Sequence, residues 1–333
     1  MLYDYAILTP QIKFMSITKE YKQIYKREIE VPFCNSIISY SIIDDKYSYQ
    51  PLSHNCDHDC KVTCKDNCHI GLGALMRKNL VFYCYGESEI VDKYNSGFFN
   101  GLEEDSLYAY KNRLPKRTPE QDGLPGEVLL DLLIQTLQPN AYKLAIRAIL
   151  RQDDNFEIKG YDLTYFTIED NKITLWLGQS KLGGKNYSID GIHNDLIEKY
   201  KNEYLSKQLY FIADKQTGVT DDGKKLTNAI NGINKIMINE NASERAKALI
   251  QYFSDNNIEI IIPCLIAYGR GSLYADIREV KKKIVDEVNE LKVKFEKEEY
   301  RFEGINPKII FYIFPLKDIN KLRGDGGFYD GLC

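Results

Sequence analysis

Four residues in the middle of the chain have the types and spacing for metal-assisted chemistry: Glu127, Asp162, Gln179 and Lys181. Hydrolysis of a phosphodiester needs oxygen ligands that hold Mg2+ on a phosphate oxygen, and a positive group beside the attacking water. Asp162 and an oxygen from position 179 suit the ligand role, and Glu127 supplies a third oxygen ligand. Lys181 suits the remaining role, orienting and deprotonating the water or stabilising charge that develops on phosphorus. The plainer alternative is a structural hairpin in which Asp162 and Lys181 form a partly solvated ion pair and Gln179 a hydrogen bond. The spacing alone does not separate the two, because the pattern is short and permissive.

These residues depend on particular elements for their positions. Two runs rich in apolar and β-branched residues, "FEIKGYDLTYFTI" (156–168) and "KITLWLGQSK" (172–181), flank Asp170-Asn171 and predict a β-hairpin. A two-residue turn there pairs Glu169 with Lys172 and sets Asp162 opposite Gln179. Side chains alternate along a strand, so Gln179 and Lys181 then share one face with Leu175 and Leu177. A three-residue turn would break this register. Before the hairpin, "EVLLDLLIQTL" (127–137) reads as a helix, with Pro125-Gly126 ahead of it and Pro139 behind. Its apolar residues nearly encircle it, which implies burial on most sides.

Around this core, "SIDGIHNDLIEKYKNEYLSKQL" is predicted helical, and residues 214–232, rich in Gly, Thr, Asp and Asn, are predicted as a mobile loop. A helix over roughly 241–255 precedes a buried strand, "IEIIIPCLIAYG" (258–269). The charged run "LYADIREVKKKIVDEVNELKVKFEKEEYRF" predicts one long amphipathic helix with a solvated or partner-binding face. "KIIFYIFPL" (308–316) closes the fold as another buried strand. In the first part of the chain, "NSIISYSII" and "NLVFYCYG" have a β-like composition. Strands interleaved with helices indicate an α/β or α+β domain with a mixed sheet. The proline- and glycine-rich stretch 112–126 marks a boundary, giving an N-terminal domain over 1–111 and a second over 112–333.

The N-terminal part carries "HNCDHDCKVTCKDNCH", with Cys56, Cys60, Cys64 and Cys68 at four-residue intervals and His54, His58 and His69 interleaved. Thiolates and imidazoles at this density suit a closed structural Zn2+ site, and four thiolates could also hold an iron–sulfur cluster. The spacing also fits four free cysteines along one helix face. The polar residues around them favour a metal. Cys34, Cys84 and Cys264 sit in apolar runs and read as core residues.

"GQSKLGGKN" lacks the spacing of a phosphate-binding loop, and Gly183-Gly184 read as a turn that leaves Lys181 exposed. Lys185 and Arg270 are solvated basic residues that could reach a phosphate, and His193 reads as a helix-surface histidine.

A helix glutamate, an aspartate and a (Glu/Gln)-x-Lys on a hairpin, followed by a helix, resemble the core of the PD-(D/E)xK nuclease superfamily. More closely, "LPGEVLLDLL", "KGYDLTYF", "LWLGQSK" and "FPLKDINKL" resemble the HamA family of the Hachiman anti-phage defence system. The resemblance covers about residues 112–325. It implies a Mg2+-dependent DNA nuclease effector, with Mn2+ as a substitute ion, restrained by a superfamily 2 helicase partner, HamB. It also implies that Glu127, Asp162 and residue 179 are metal-site residues and that Lys181 is the catalytic lysine. Position 179 departs from the family pattern, which has glutamate there. Gln179 brings no negative charge and so lowers the expected metal affinity. It is either a natural Q-x-K variant or an inactivating Glu-to-Gln exchange, the exchange being the favoured of the two.

Composition is consistent with this reading and narrows it. With 44% hydrophobic and 28% charged residues over 333 positions, the chain has the balance of a soluble globular protein, and it is read as cytoplasmic. No apolar run has membrane-spanning length, and no membrane partner is expected. A net charge of −4 excludes broad electrostatic adhesion to nucleic acid, so DNA contact must use a local patch or a more basic partner. Two other classes of function stay open: a catalytically silent DNA-binding or regulatory subunit on a nuclease fold, and a zinc-stabilised protein-interaction module.

Overall fold

The computed structural model describes residues 36–41, 46–51, 68–114, 123–138, 141–144, 160–201, 204–205, 208, 221–276, 278–297, 300, 302, 305–324 and 326–332. The Cys/His cluster falls almost wholly outside them: of its residues only Cys68 and His69 are reached, as the first two of a helix.

Seven strands form one mixed sheet in the order β2-β1-β7-β6-β5-β4-β3. They are β1 (Ser36–Ser41), β2 (Lys46–Pro51), β3 (Tyr142–Lys143), β4 (Leu163–Glu169), β5 (Lys172–Gly183), β6 (Ile258–Gly269) and β7 (Lys308–Leu316). The central strands β5, β6 and β7 are parallel, and every other neighbouring pair is antiparallel. Parallel neighbours require a crossover, which explains the helices between β5 and β6 and between β6 and β7. β1 hydrogen-bonds to β7, so the sheet draws strands from both sides of the 111/112 position.

The hairpin has the expected register. Asp170 and Asn171 both have positive φ (48° and 62°), the signature of a two-residue type I′ turn. Pairs run from Glu169–Lys172 to Leu163–Gly178, and the Asp162 amide donates to the Gly178 carbonyl at 3.0 Å. Asp162 therefore stands just beyond the last regular pair, with its carboxylate on Ser180.

Ten helices are described, counting only described residues. On one side of the sheet lie α1 (Cys68–Lys78), α2 (Leu80–Cys84), α3 (Glu87–Asn95), α4 (Leu102–Arg113) and α5 (Leu124–Leu137), with α10 (Ile319–Arg323) close by. This layer packs on Leu163, Tyr165, Trp176, Leu182 and Leu265. On the other side, α6 (Lys185–Glu198), α7 (Asp221–Met237), α8 (Ala242–Asp255) and α9 (Val280–Phe295) cover Leu175, Leu177, Ile260, Ile262, Ile266 and Ile309. Each such buried aliphatic side chain stabilises the fold by about 1.5–3 kcal/mol relative to an exposed one.

Three expectations are corrected. Residues 221–237 form a helix where a loop was expected through 232, because Leu226, Ile230, Ile233 and Met237 recur at helical spacing and are buried. Gly232 in that helix has a packing reason, since a Cβ there would lie 2.0 Å from the Tyr252 hydroxyl of α8. "NLVFYC" is helical, with Leu80, Val81, Phe82, Tyr83 and Cys84 all buried; a short apolar run does not distinguish a strand from a buried helix. The long charged helix is shorter than expected, running over Val280–Phe295 behind a 3-10 turn at Gly271–Tyr274. No described helix is long and apolar enough to cross a membrane.

Candidate active site

β5 is buried on both faces from Ile173 to Ser180, and its last residues carry the chemistry. Gln179 is fully buried and pairs in parallel register with Cys264 of β6, while Lys181 pairs with Ile266. The stem of Lys181 runs across Gly191 of α6. A Cβ on Gly191 would sit 2.9 Å from the lysine Cε, so the glycine leaves the groove through which the side chain passes.

α6 adds two residues absent from the sequence expectation. Lys181 Nζ lies 2.6 Å from Asp195 Oδ2, and Lys199 Nζ lies 3.2 Å from the same oxygen. Lys199 Nζ also donates to Gln179 Oε1 at 2.5 Å. Gly191, Asp195 and Lys199 are four residues apart and form one stripe of α6 over the end of β5. An Asp-Lys pair at i,i+4 on the helix after the motif was the available signal.

Asp162 reaches the same end of the strand. Its Oδ2 accepts from the Ser180 amide at 2.8 Å and from the Ser180 hydroxyl at 3.2 Å. Its charge acts on Lys181 together with that of Asp195. Burial pulls the Lys181 pKa down, but the hydrogen bond and charge of Asp195, with Asp162 and Tyr187, outweigh it and hold the ammonium above the ordinary lysine value. The Cys264 thiol beneath is pushed well up by burial and by the charges of Asp195 and Asp162, so it stays neutral.

Glu127 comes from the opposite face of the sheet. The turn before it brings Gly126 flat against β5, where a Cβ would lie 3.2 Å from Leu182 Cβ and 3.5 Å from Ser180 Oγ. Glu127 itself is buried and accepts from the Tyr83 hydroxyl at 2.5 Å. Ser180 thus stands between the two faces, bonded to Asp162 and overlain by the start of α5. The structure places Gln179 and Lys181 on the α6 side of the end of β5, Asp162 against Ser180 beside them, and Glu127 on the α5 side.

Helix α5 is less uniformly apolar than its sequence suggests. Glu127, Asp131 and Gln135 form a buried or half-buried polar stripe. Asp131 accepts from Asn79 (2.8 Å), Gln135 (2.5 Å) and Tyr165 (2.6 Å) and pairs with Lys143 at 3.2 Å.

Other candidates are occupied elsewhere. Lys185 pairs with Glu287 at 2.9 Å, and Arg270 approaches the same carboxylate at 3.5 Å. Gly184 is the N-cap of α6, with Gly183 still in β5, so the pair closes the strand directly into a helix. His193 is buried, stacked on Tyr300 with centroids 5.7 Å apart, which corrects its reading as a surface histidine. Cys84 and Cys264 are buried, as expected of core residues. Among the described residues, no group of three or more His, Cys, Asp or Glu side chains is placed to hold a metal ion.

A search of curated proteins finds no match to this chain. The profile of the HamA family, in contrast, matches residues 35–331 of the 333, nearly the whole length and well beyond the motifs themselves. The chain therefore belongs to the HamA family of the Hachiman antiviral defence system.

Proposed function

We propose that this protein is a metal-dependent DNA nuclease of the PD-(D/E)xK type, acting as a defence effector together with a superfamily 2 helicase, HamB. The observation that carries the reading is the convergence of Asp162, Gln179 and Lys181 at one end of β5, with the side chain of Lys181 held by Asp195. The element order α5, β3, β4, β5, α6, α7, α8, β6 supports it, since it is a helix, an antiparallel three-strand unit, a helical crossover and a parallel strand.

The donors suit a divalent ion that keeps most of its waters, because such an ion needs only one or two carboxylates. Asp162 and Asp195 would supply them, and position 179 would add a third oxygen once its bond to Lys199 is released. The bound ion would neutralise charge on a phosphate oxygen and make a water more acidic. Lys181, held by Asp195, is placed to orient the scissile phosphate and stabilise developing charge. Asp195 positions that ammonium, and Gly191 keeps its path open.

Two predictions follow from Lys181. Gly191→Ala should leave the fold intact, since alanine favours the helix by up to about 1 kcal/mol. It should still lower cleavage by about tenfold to a hundredfold through displacement of the Lys181 stem. Melting temperature and cleavage rate, measured on the same preparation, check both halves. The second concerns pH. A folded pKa above the unfolded one gives stability that is fully present below the ordinary lysine value and lost as pH rises through the folded value. The melting-temperature difference between the unaltered chain and Lys181→Met should therefore stay constant across neutral pH and shrink only under strongly alkaline conditions.

A silent DNA-binding subunit is the second reading, favoured by the engagement of Gln179 Oε1 with Lys199. A plasmid-degradation assay with Mg2+ or Mn2+ separates them. Cleavage by the unaltered chain marks a natural Q-x-K enzyme, and cleavage by Gln179→Glu alone marks a site silenced at that position. If neither form cuts, the nuclease reading fails and the binding and interaction-module readings stand. We further propose structural zinc at Cys56, Cys60, Cys64 and Cys68; metal analysis of the purified protein that finds none would retire it.

A further inference from the structure

On the α6 side of the end of β5, leaving aside Glu127 on the α5 side, the polar groups are already balanced without any added ion. Asp162 and Asp195 carry two negative charges, Lys181 and Lys199 two positive ones, and Gln179 is neutral. Lys199 Nζ bridges Gln179 Oε1 at 2.5 Å and Asp195 Oδ2 at 3.2 Å, the two oxygens that a cation between β5 and α6 would use. The Gln179 amide nitrogen is buried and makes no hydrogen bond of normal geometry. Turning the amide around would not free an oxygen, because it would set that nitrogen against the Lys199 ammonium. A divalent ion added beside Lys199 would leave the site with two excess positive charges in a largely buried setting, which is unfavourable.

We propose that Lys199 is a built-in counter-cation that holds the place of the divalent ion between Gln179 and Asp195, so that metal binds only when Lys199 moves away. The proposal rests on the metal-dependent reading of this site and adds its regulation. Lys199 can make the move. Its side chain is 23% exposed at the C-cap of α6, and a lysine stem can carry its ammonium to solvent or to a DNA phosphate. Asp195 keeps Lys181 as its partner when Lys199 leaves, so no buried carboxylate is stranded.

The test is calorimetric titration of the apo full-length chain with Mn2+, alongside Lys199→Met, Lys199→Arg and Lys199→Met/Asp162→Asn. Lys199→Met should bind Mn2+ at least about tenfold more tightly than the unaltered chain, since one adjacent positive charge is gone. Lys199→Arg should remain as weak as the unaltered chain, and the double variant should lose the gain. Lys199→Met binding no tighter than the unaltered chain overturns the proposal, as does a gain that survives Asp162→Asn. Should Lys199→Met unfold, Lys199→Gln takes its place under the same criteria, with folding checked by circular dichroism. Failure of the metal reading itself has a different signature: Mn2+ affinity of Gln179→Glu that is indifferent to Asp162→Asn.

Discussion

Gln179→Glu should bind Mn2+ at least about tenfold more tightly than the unaltered chain, because the affinity of oxygen-ligand sites follows their carboxylate count. In the present arrangement the only oxygen of the Gln179 side chain is bonded to Lys199, and its nitrogen, buried and without a normal hydrogen bond, is a donor that repels cations. Once Lys199 has moved away, a carboxylate offers the ion a charged oxygen where the amide offers only a neutral one. It also ends the neutrality of the group by adding one negative charge. Titration calorimetry reads the change directly. Unchanged affinity would mean that position 179 does not face the ion.

Lys143→Met should destabilise the fold by about 3 kcal/mol, the low end for breaking a buried ion pair. Both side chains are 5% exposed, with Lys143 Nζ 3.2 Å from Asp131 Oδ1. Loss of the ammonium leaves a carboxylate whose remaining partners, Asn79, Gln135 and Tyr165, are neutral donors. Those three bonds keep the cost from being larger. Lys143→Met combined with Asp131→Asn should recover most of the loss, since a neutral pair costs far less to bury than a lone charge. Denaturant unfolding of the two single variants and the double supplies the coupling. The pair matters to the site because Asp131 lies one turn beyond Glu127 on α5, and Lys143 ties β3 to that helix.

The hairpin was legible from sequence because Asp170-Asn171 is a strong turn signal that fixes register locally. Once the turn was read as two residues, the pairs from Glu169–Lys172 to Leu163–Gly178 followed, and Asp162 stands one residue beyond the last of them. β6 and β7 were legible from end to end because unbroken apolar runs bounded by polar residues leave little choice. The partners that complete the site were harder to see. Asp195 and Lys199 look like an ordinary surface pair on a helix, and only the crossover that lays α6 over β5 makes them neighbours of Lys181. Helix α7 was missed because its glycine and asparagines carry a loop-like composition, and the burial of Leu226, Ile230 and Ile233 outweighs their low propensity. The stripe of Glu127, Asp131 and Gln135 on α5 was hidden by the leucines around it, since nothing in the local sequence reveals Tyr83, Lys143 and Tyr165 waiting to receive it.

The central claim is that the end of β5 is a metal-dependent phosphodiester-cleaving site with Lys181 as its charge-stabilising group. The most direct measurement is the rate of Mg2+-dependent plasmid cleavage by Gln179→Glu beside that of Gln179→Glu/Lys181→Ala, both shown to be folded. The account predicts cleavage by the first that a chelator abolishes, and loss of at least about a hundredfold in the second. Equal cleavage by both variants would contradict it.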